Sequence, residues 1–204
     1  DTQNPVIIGS LSAYPEKGYN HSGWLNESGT VYAMADETHG SDIKLLDVTD
    51  ISDINWTDTI DSGVNDTLSI AHNLIFKDNY LYASYYHDGL YIFNTENPEN
   101  AFVTGFYDTS NEPHNFNYKG NWGVYPFLPS GRVLASDMQE GLFIFDVSDA
   151  INTSIVEATA KNLVTVFPNP ANDFVNISVP SIQHFSQWEI IDITGKQIIS
   201  GGLT

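Results

Sequence analysis

Two histidines and a neighbouring pair of carboxylates are the residues of this chain best suited to chemistry. His21 and His72 each stand just ahead of an apolar run, His21-Ser-Gly-Trp24-Leu25 and His72-Asn-Leu-Ile-Phe76. Asp36 and Glu37 follow the run at 30–35, and Asp137 ends its counterpart at 132–136. Imidazole with carboxylate is a ligand set for zinc or another divalent cation. The metal candidates are therefore His21, Asp36, Glu37 and His72. Their spacing matches no signature such as HExxH. The same histidines would serve as hydrogen-bond partners of strand ends or ordered water, and the two readings stand side by side.

Other chemistry is thinner. Asp47 to Asp50, Asp50 to Asp53 and Asp146 to Asp149 frame acidic turns whose oxygens suit calcium, although Asp is also an ordinary turn residue. Tyr82, Tyr85, Tyr86 and Tyr91 read as strand packing, with any exposed ring able to stack on a sugar. No GxSxG, no cysteine and no Gly-rich phosphate loop occurs, so no catalytic residue is assigned.

The elements that must position these residues are short strands. Residues 69–109 hold four apolar, aromatic-rich runs at 72–76, 80–85, 89–93 and 101–107, punctuated by Asp, Asn, Gly and Pro. Four antiparallel strands in about 40–45 residues is the size of one β-propeller blade. The unit repeats. Asp47-Val-Thr-Asp50, Asn94-Thr-Glu-Asn97 and Asp146-Val-Ser-Asp149 each follow an apolar run, and Val31-Tyr-Ala33, Leu81-Tyr-Ala83 and Val133-Leu-Ala135 give a second landmark at nearly the same period. Asp1-Thr-Gln-Asn-Pro5-Val-Ile-Ile-Gly9 echoes Asn97-Pro-Glu-Asn-Ala-Phe-Val-Thr-Gly105, so residues 1–20 are expected to finish a repeat that began earlier. About three blades and a fragment do not close a ring, and further blades ahead of Asp1 are expected. On such a disc His21 and His72 fall near the central channel, where Trp24, Glu37 and Trp122 join them as candidates for binding a small ligand.

Composition narrows the partners. Seven Lys and Arg oppose 26 Asp and Glu, for a formal net charge of −19. Nucleic acid needs a basic face and is excluded on that ground; anionic membrane surfaces are disfavoured too. Hydrophobic residues make up 41% of the chain, enough for a packed core, and no 18-residue apolar run exists to span a bilayer. The period-two alternation makes the class all-β. After Asp149 the pattern changes: 156–162 reads as a linker, and 163–204 as hairpins with Pro168 and Pro170 in one turn and Thr194-Gly195 in another.

Two resemblances can be stated on these residues. Phe167-Pro168-Asn169-Pro170-Ala-Asn-Asp173-Phe-Val-Asn-Ile-Ser178 with Ile190-Ile-Asp-Ile-Thr-Gly195-Lys-Gln-Ile198 resembles the type A C-terminal sorting domain of the type IX secretion system. The resemblance implies a small Ig-like β-sandwich that directs export through the translocon and its associated outer-membrane proteins. Its sorting motif would include Phe167, Pro168, Asn169, Pro170, Asp173 and Gly195, and the domain is expected to be truncated at Thr204. Within the blades read at 1–155, residues 1–150 resemble the choice-of-anchor B family with its LVIVD repeats, through His21-Ser-Gly-Trp-Leu25, Asp36-Glu37, Ala71-His-Asn-Leu74, Asp88-Gly-Leu-Tyr-Ile92, Trp122-Gly-Val-Tyr-Pro-Phe-Leu-Pro-Ser-Gly131 and Glu140-Gly-Leu-Phe-Ile144. That implies an extracellular β-propeller.

The reading is a partial β-propeller followed by an export tag, secreted or attached to the outer face of a Gram-negative outer membrane. There it binds a surface protein or glycan, with calcium or zinc as the cation to consider. The alternative is a metal-dependent hydrolase or lyase with its site in the channel.

Overall fold

The computed structural model describes residues 4–64, 67–111, 113–151, 165–167, 176–178, 187–191 and 197–202. The chain divides into two compact units, Asp1–Thr153 and Ser154–Thr204.

The first unit is three antiparallel meanders in succession. The first sheet runs β1 (Asn20–Leu25), β2 (Val31–Asp36), β3 (Ile43–Asp47) and β4 (Asn55–Ile60). The second runs β5 (Leu74–Lys77), β6 (Tyr80–Tyr85), β7 (Gly89–Asn94) and β8 (Phe102–Tyr107). The third has β9 (Asn121–Tyr125), β10 (Val133–Asp137) and β11 (Gly141–Phe145), after which Ser148–Ile151 forms one helical turn, α1. The strands coincide with the β-branched and aromatic runs, and the reversals with Asp, Asn and Gly. Gly89 shows why one such turn needs its glycine. Its φ is 90°, and a Cβ there would lie 2.2 Å from the Tyr107 carbonyl oxygen. The all-β expectation is borne out, and the three sheets are consistent with partial propeller blades. No closed barrel forms among the described residues.

Alternation builds two cores between the sheets. Val31, Ala33, Ala35, Ile43 and Leu45 of the first sheet pack on Leu74, Phe76, Leu81, Ala83, Tyr91 and Phe93 of the second. The opposite face of the second sheet, with Tyr82, Leu90 and Ile92, packs on Val124, Val133 and Ala135 of the third. Each buried Val, Leu, Ile or Phe side chain contributes about 1.5–3 kcal/mol. Burial also pushes the Tyr82 and Tyr91 hydroxyls up to about 12.

Cross-strand register corrects the repeat read from sequence. Val31 faces Asp47 and Tyr80 faces Asn94. Asp47 and Asn94 open the equivalent turns, so Val31 is the counterpart of Tyr80 rather than of Leu81. A one-residue slip exchanges the two faces of a strand, and only pairing reveals it. On this register His21, His72 and Trp122 are equivalent positions, each two residues ahead of the residue whose partner lies on the same rung: Gly23 opposite Met34, Leu74 opposite Ala83, Val124 opposite Ala135. Residues 4–19, expected to complete a blade, contain no strand and turn at Pro15 and Glu16.

In the second unit β12 (Thr165–Phe167) pairs with β13 (Asn176–Ser178), and β14 (Gln187–Ile191) with β15 (Gln197–Gly202), both antiparallel. Phe167 closes β12. Pro168, Asn169, Pro170, Asp173, Gly195 and the 156–162 linker lie outside the described residues.

Candidate metal centre

Three of the four metal candidates converge where the first and second sheets meet. His21 projects from β1, Glu37 follows the last residue of β2, and His72 precedes β5 on the neighbouring sheet. The two Nε2 atoms are 3.1 Å apart. His21 Nδ1 lies 3.6 Å from Glu37 Oε2, and His72 Nε2 lies 3.8 Å from Glu37 Oε1. One ligand atom from each residue falls within 4.8 Å of the others. Two nitrogens bound at 2.0–2.1 Å to a tetrahedral zinc stand roughly 3.3 Å apart, so the imidazole pair is spaced for a shared ion.

The surroundings fix which atoms face inward. His72 Nδ1 lies 2.6 Å from the Trp122 carbonyl oxygen. A carbonyl only accepts, so Nδ1 carries the proton and Nε2 of the neutral ring turns its lone pair to the cluster. This is the outer partner that metal-binding histidines usually have. Burial, its largest cause, holds the His72 imidazole below its ordinary value, against the raising influence of the Trp122 carbonyl. Tyr86, the residue after β6, donates from its hydroxyl to Glu37 Oε1 at 2.5 Å and aims that carboxylate. Burial first, then the bond to Glu37, pushes the Tyr86 hydroxyl far up, so it remains a donor. Tyr86 also has a φ of 27°, a backbone conformation that side chains other than glycine seldom adopt and that clusters at functional sites.

His72 is 4% exposed and Glu37 18%, while His21 is 34% exposed and opens the site to solvent. Were the three to hold an ion, the solvent-facing side would leave a coordination position for water or a ligand. Aromatic rings line the approach: Tyr19 beside His21 at 6.4 Å and Trp122 stacked on His72 at 4.9 Å.

The remaining candidates go elsewhere. Asp36 is fully buried and turned away from the histidines. It accepts hydrogen bonds from Tyr14 Oη, the Gly18 amide and Asn20, and it lies 4.0 Å from Lys44 Nζ. Trp24 sits three residues beyond His21 on β1, opposite Ala33 and 41% exposed. Trp122 contributes its carbonyl and ring rather than a ligand atom. Asp137 accepts from Thr109 Oγ1 and from the Gln139 and Glu140 amides. In the acidic turns the hydroxyl and, second, the amide of the residue two positions on (Thr49, Ser52 and Ser148) lower the carboxyls of Asp47, Asp50 and Asp146. Those oxygens cap turns.

Sequence reasoning missed Tyr86, since an aromatic in a Tyr-rich strand looks like core. It also missed a second imidazole group, where His114 Nε2 lies 3.3 Å from Asp88 Oδ1 and His87 Nε2 lies 2.7 Å from Asn117 Oδ1. Among the described residues only His21, Glu37 and His72 meet the spacing of a metal cluster.

Comparison with known proteins adds one assignment. Residues 165–204 match the family model of the secretion system C-terminal sorting domain. The chain therefore carries a type IX sorting domain and is secreted or displayed at the cell surface by that route. No curated protein matches the chain. No helix among the described residues is long and apolar enough to cross a membrane.

Proposed function

We propose that this protein is an exported, propeller-like binding module that holds a zinc-type divalent cation between His21, Glu37 and His72. The match of residues 165–204 to the sorting domain supports the export half of the reading. The convergence of two imidazoles and a carboxylate within 4.8 Å supports the binding half. Two nitrogen ligands favour zinc over calcium, which takes oxygen donors. The ion's open position, beside Tyr19 and Trp122, takes a surface protein or glycan donor outside the cell. The repeats resemble LVIVD repeats of the choice-of-anchor B family, in keeping with that address. Binding is favoured over hydrolysis because His21, Glu37 and His72 are all used as ligands, and Asp36, the neighbouring carboxylate, is committed to the core.

The test is metal analysis of the purified 204-residue chain after dialysis against zinc. One zinc per chain, lost in His21→Ala and in His72→Ala, is the expected result; equal metal content in all three proteins overturns the site. For export, residues 163–204 are fused to an unrelated reporter in a strain competent for type IX secretion. Reporter at the surface or in the medium is expected, and periplasmic retention counts against it.

A further inference from the structure

The three equivalent inner residues form one column of rings. The centroids of His21 and His72 are 4.7 Å apart, and those of His72 and Trp122 are 4.9 Å apart. Only the first pair offers ligand atoms to an ion. Trp122, from the third sheet, nevertheless touches both groups that aim those atoms. Its carbonyl oxygen accepts from His72 Nδ1 at 2.6 Å and from Asn73 Nδ2 at 3.0 Å. Its indole N–H is a hydrogen-bond donor to the Tyr86 hydroxyl oxygen, whose own proton goes to Glu37. One residue of the third sheet therefore steadies His72 directly and Glu37 through Tyr86.

The backbone repeats the grip. A φ of 27° at Tyr86 persists only where the surroundings enforce it. The Asn121 amide donates to the Tyr86 carbonyl oxygen at 2.8 Å, and the two residues pair as an antiparallel bridge. Gly120 lies against the same carbonyl with a φ of 103°, and a Cβ there would strike that oxygen. Gly120 is fixed in turn to its own sheet. Its amide donates to Gln139 Oε1 at 2.9 Å, and its carbonyl accepts from the Met138 amide at 2.9 Å. The strained residue that aims Glu37 is thus held by the sheet that supplies no ligand.

We propose that Trp122 and Gly120 are positioning residues of the cation site, so that the third sheet sets the affinity of an ion bound between the first two. This deepens the zinc reading above and rests on it. Coupling of this kind is reciprocal: an ion that selects the aimed arrangement of His72 and Glu37 also tightens the third sheet.

Competition titration of the full chain with zinc tests this. Trp122 is 50% exposed, and Trp122→Phe keeps the carbonyl and a ring on His72 while deleting the indole N–H. Zinc affinity is expected to fall about fivefold, with the Tm of the metal-free protein unchanged. In a Tyr86→Phe background, itself weakened about tenfold, the same substitution has no further effect, because its route to Glu37 is already gone. Gly120→Ala displaces Tyr86 through its backbone and weakens zinc independently of any change in the site's side chains. Amide exchange at 121–124 slows when zinc is added to the unsubstituted chain. Three results overturn the proposal and leave the zinc reading standing. They are zinc affinity unchanged in both Trp122→Phe and Gly120→Ala, losses that multiply to about fiftyfold in the Trp122→Phe, Tyr86→Phe chain, and exchange at 121–124 indifferent to zinc. No zinc in the unsubstituted chain removes that reading and this proposal with it.

Discussion

The seam between the first and second sheets and the seam between the second and third are built on one register but filled differently. At the first, the equivalent inner positions carry His21 and His72, with Glu37 reaching in after β2. At the second, they carry His72 and Trp122, and Tyr86 takes the place of Glu37. Met138 is the same position once more, after β10. Imidazole beside imidazole with a carboxylate has the spacing of the proposed cation site. Imidazole beside indole gives a stack with ring centroids 4.9 Å apart. The backbone supplies the juxtaposition at every seam, and three side chains decide what it does. A similar contrast separates Asp36 from Glu37, adjacent on the chain, where alternation sends one into the core and the other into the site.

The contrast between core and site carboxylates breaks most visibly at Asp36. Asp36→Ala removes the acceptor of three hydrogen bonds and the one fully buried carboxylate beside buried Lys44, and it is expected to cost about 3–5 kcal/mol in chemical denaturation. Zinc stoichiometry of the folded fraction stays unchanged. His72→Ala does the reverse. It abolishes the stabilisation that zinc confers, which at a hundredfold excess over Kd is about 2.7 kcal/mol and is read as a shift in Tm. Tyr86→Phe sharpens the comparison of the two seams, because it deletes only the hydroxyl that aims Glu37. Zinc affinity by competition titration should fall about tenfold, with the fold intact.

The smallest effect lies at the mouth of the first sheet. Burial, with Glu16 and Asp61 nearby, pushes the Asp42 carboxyl up to about 6 despite the lowering influence of Lys44. The folded state then keeps a proton that the unfolded chain has already lost. Stability from this group is full below its ordinary value of 3.8, declines as pH climbs to about 6, and stays reduced above that. Asp42→Asn should therefore stabilise the protein by about 1–2 kcal/mol at pH 7, discounted for partial exposure, and by nothing at pH 3.5. Denaturation midpoints at the two pH values check it.

Much of the fold was legible from sequence. β6 was expected at 80–85 and is found there, and β5, β7 and β8 differ by one or two residues, because hydrophobic alternation and turn residues are local signals. The equivalence of His21 and His72 was legible too, since both precede the first apolar run of a repeat. The slip at Val31 was not. Alternation fixes a strand's phase only against its own turn, while Val31 is phased by its rung with Asp47. Nor could sequence tell Asp36 from Glu37, because which of two neighbouring acids faces a partner sheet depends on where the strand ends. Tyr86 was hidden by its company: only the position of its hydroxyl beside Glu37 separates it from Tyr82 and Tyr85. The sorting motif was readable as a string of residues, Phe167 to Gly195, without any of their packing.

His72 draws its ligand atom from one sheet, while His21 and Glu37 draw theirs from another. With the proposed ion in place, prising the two sheets apart and loosening the ion would be a single event seen from two sides. Force on the two sheets would register as cation release, and a chelator would register as a softer seam, with amide exchange quickening along the rows of Ala33 and Ala83.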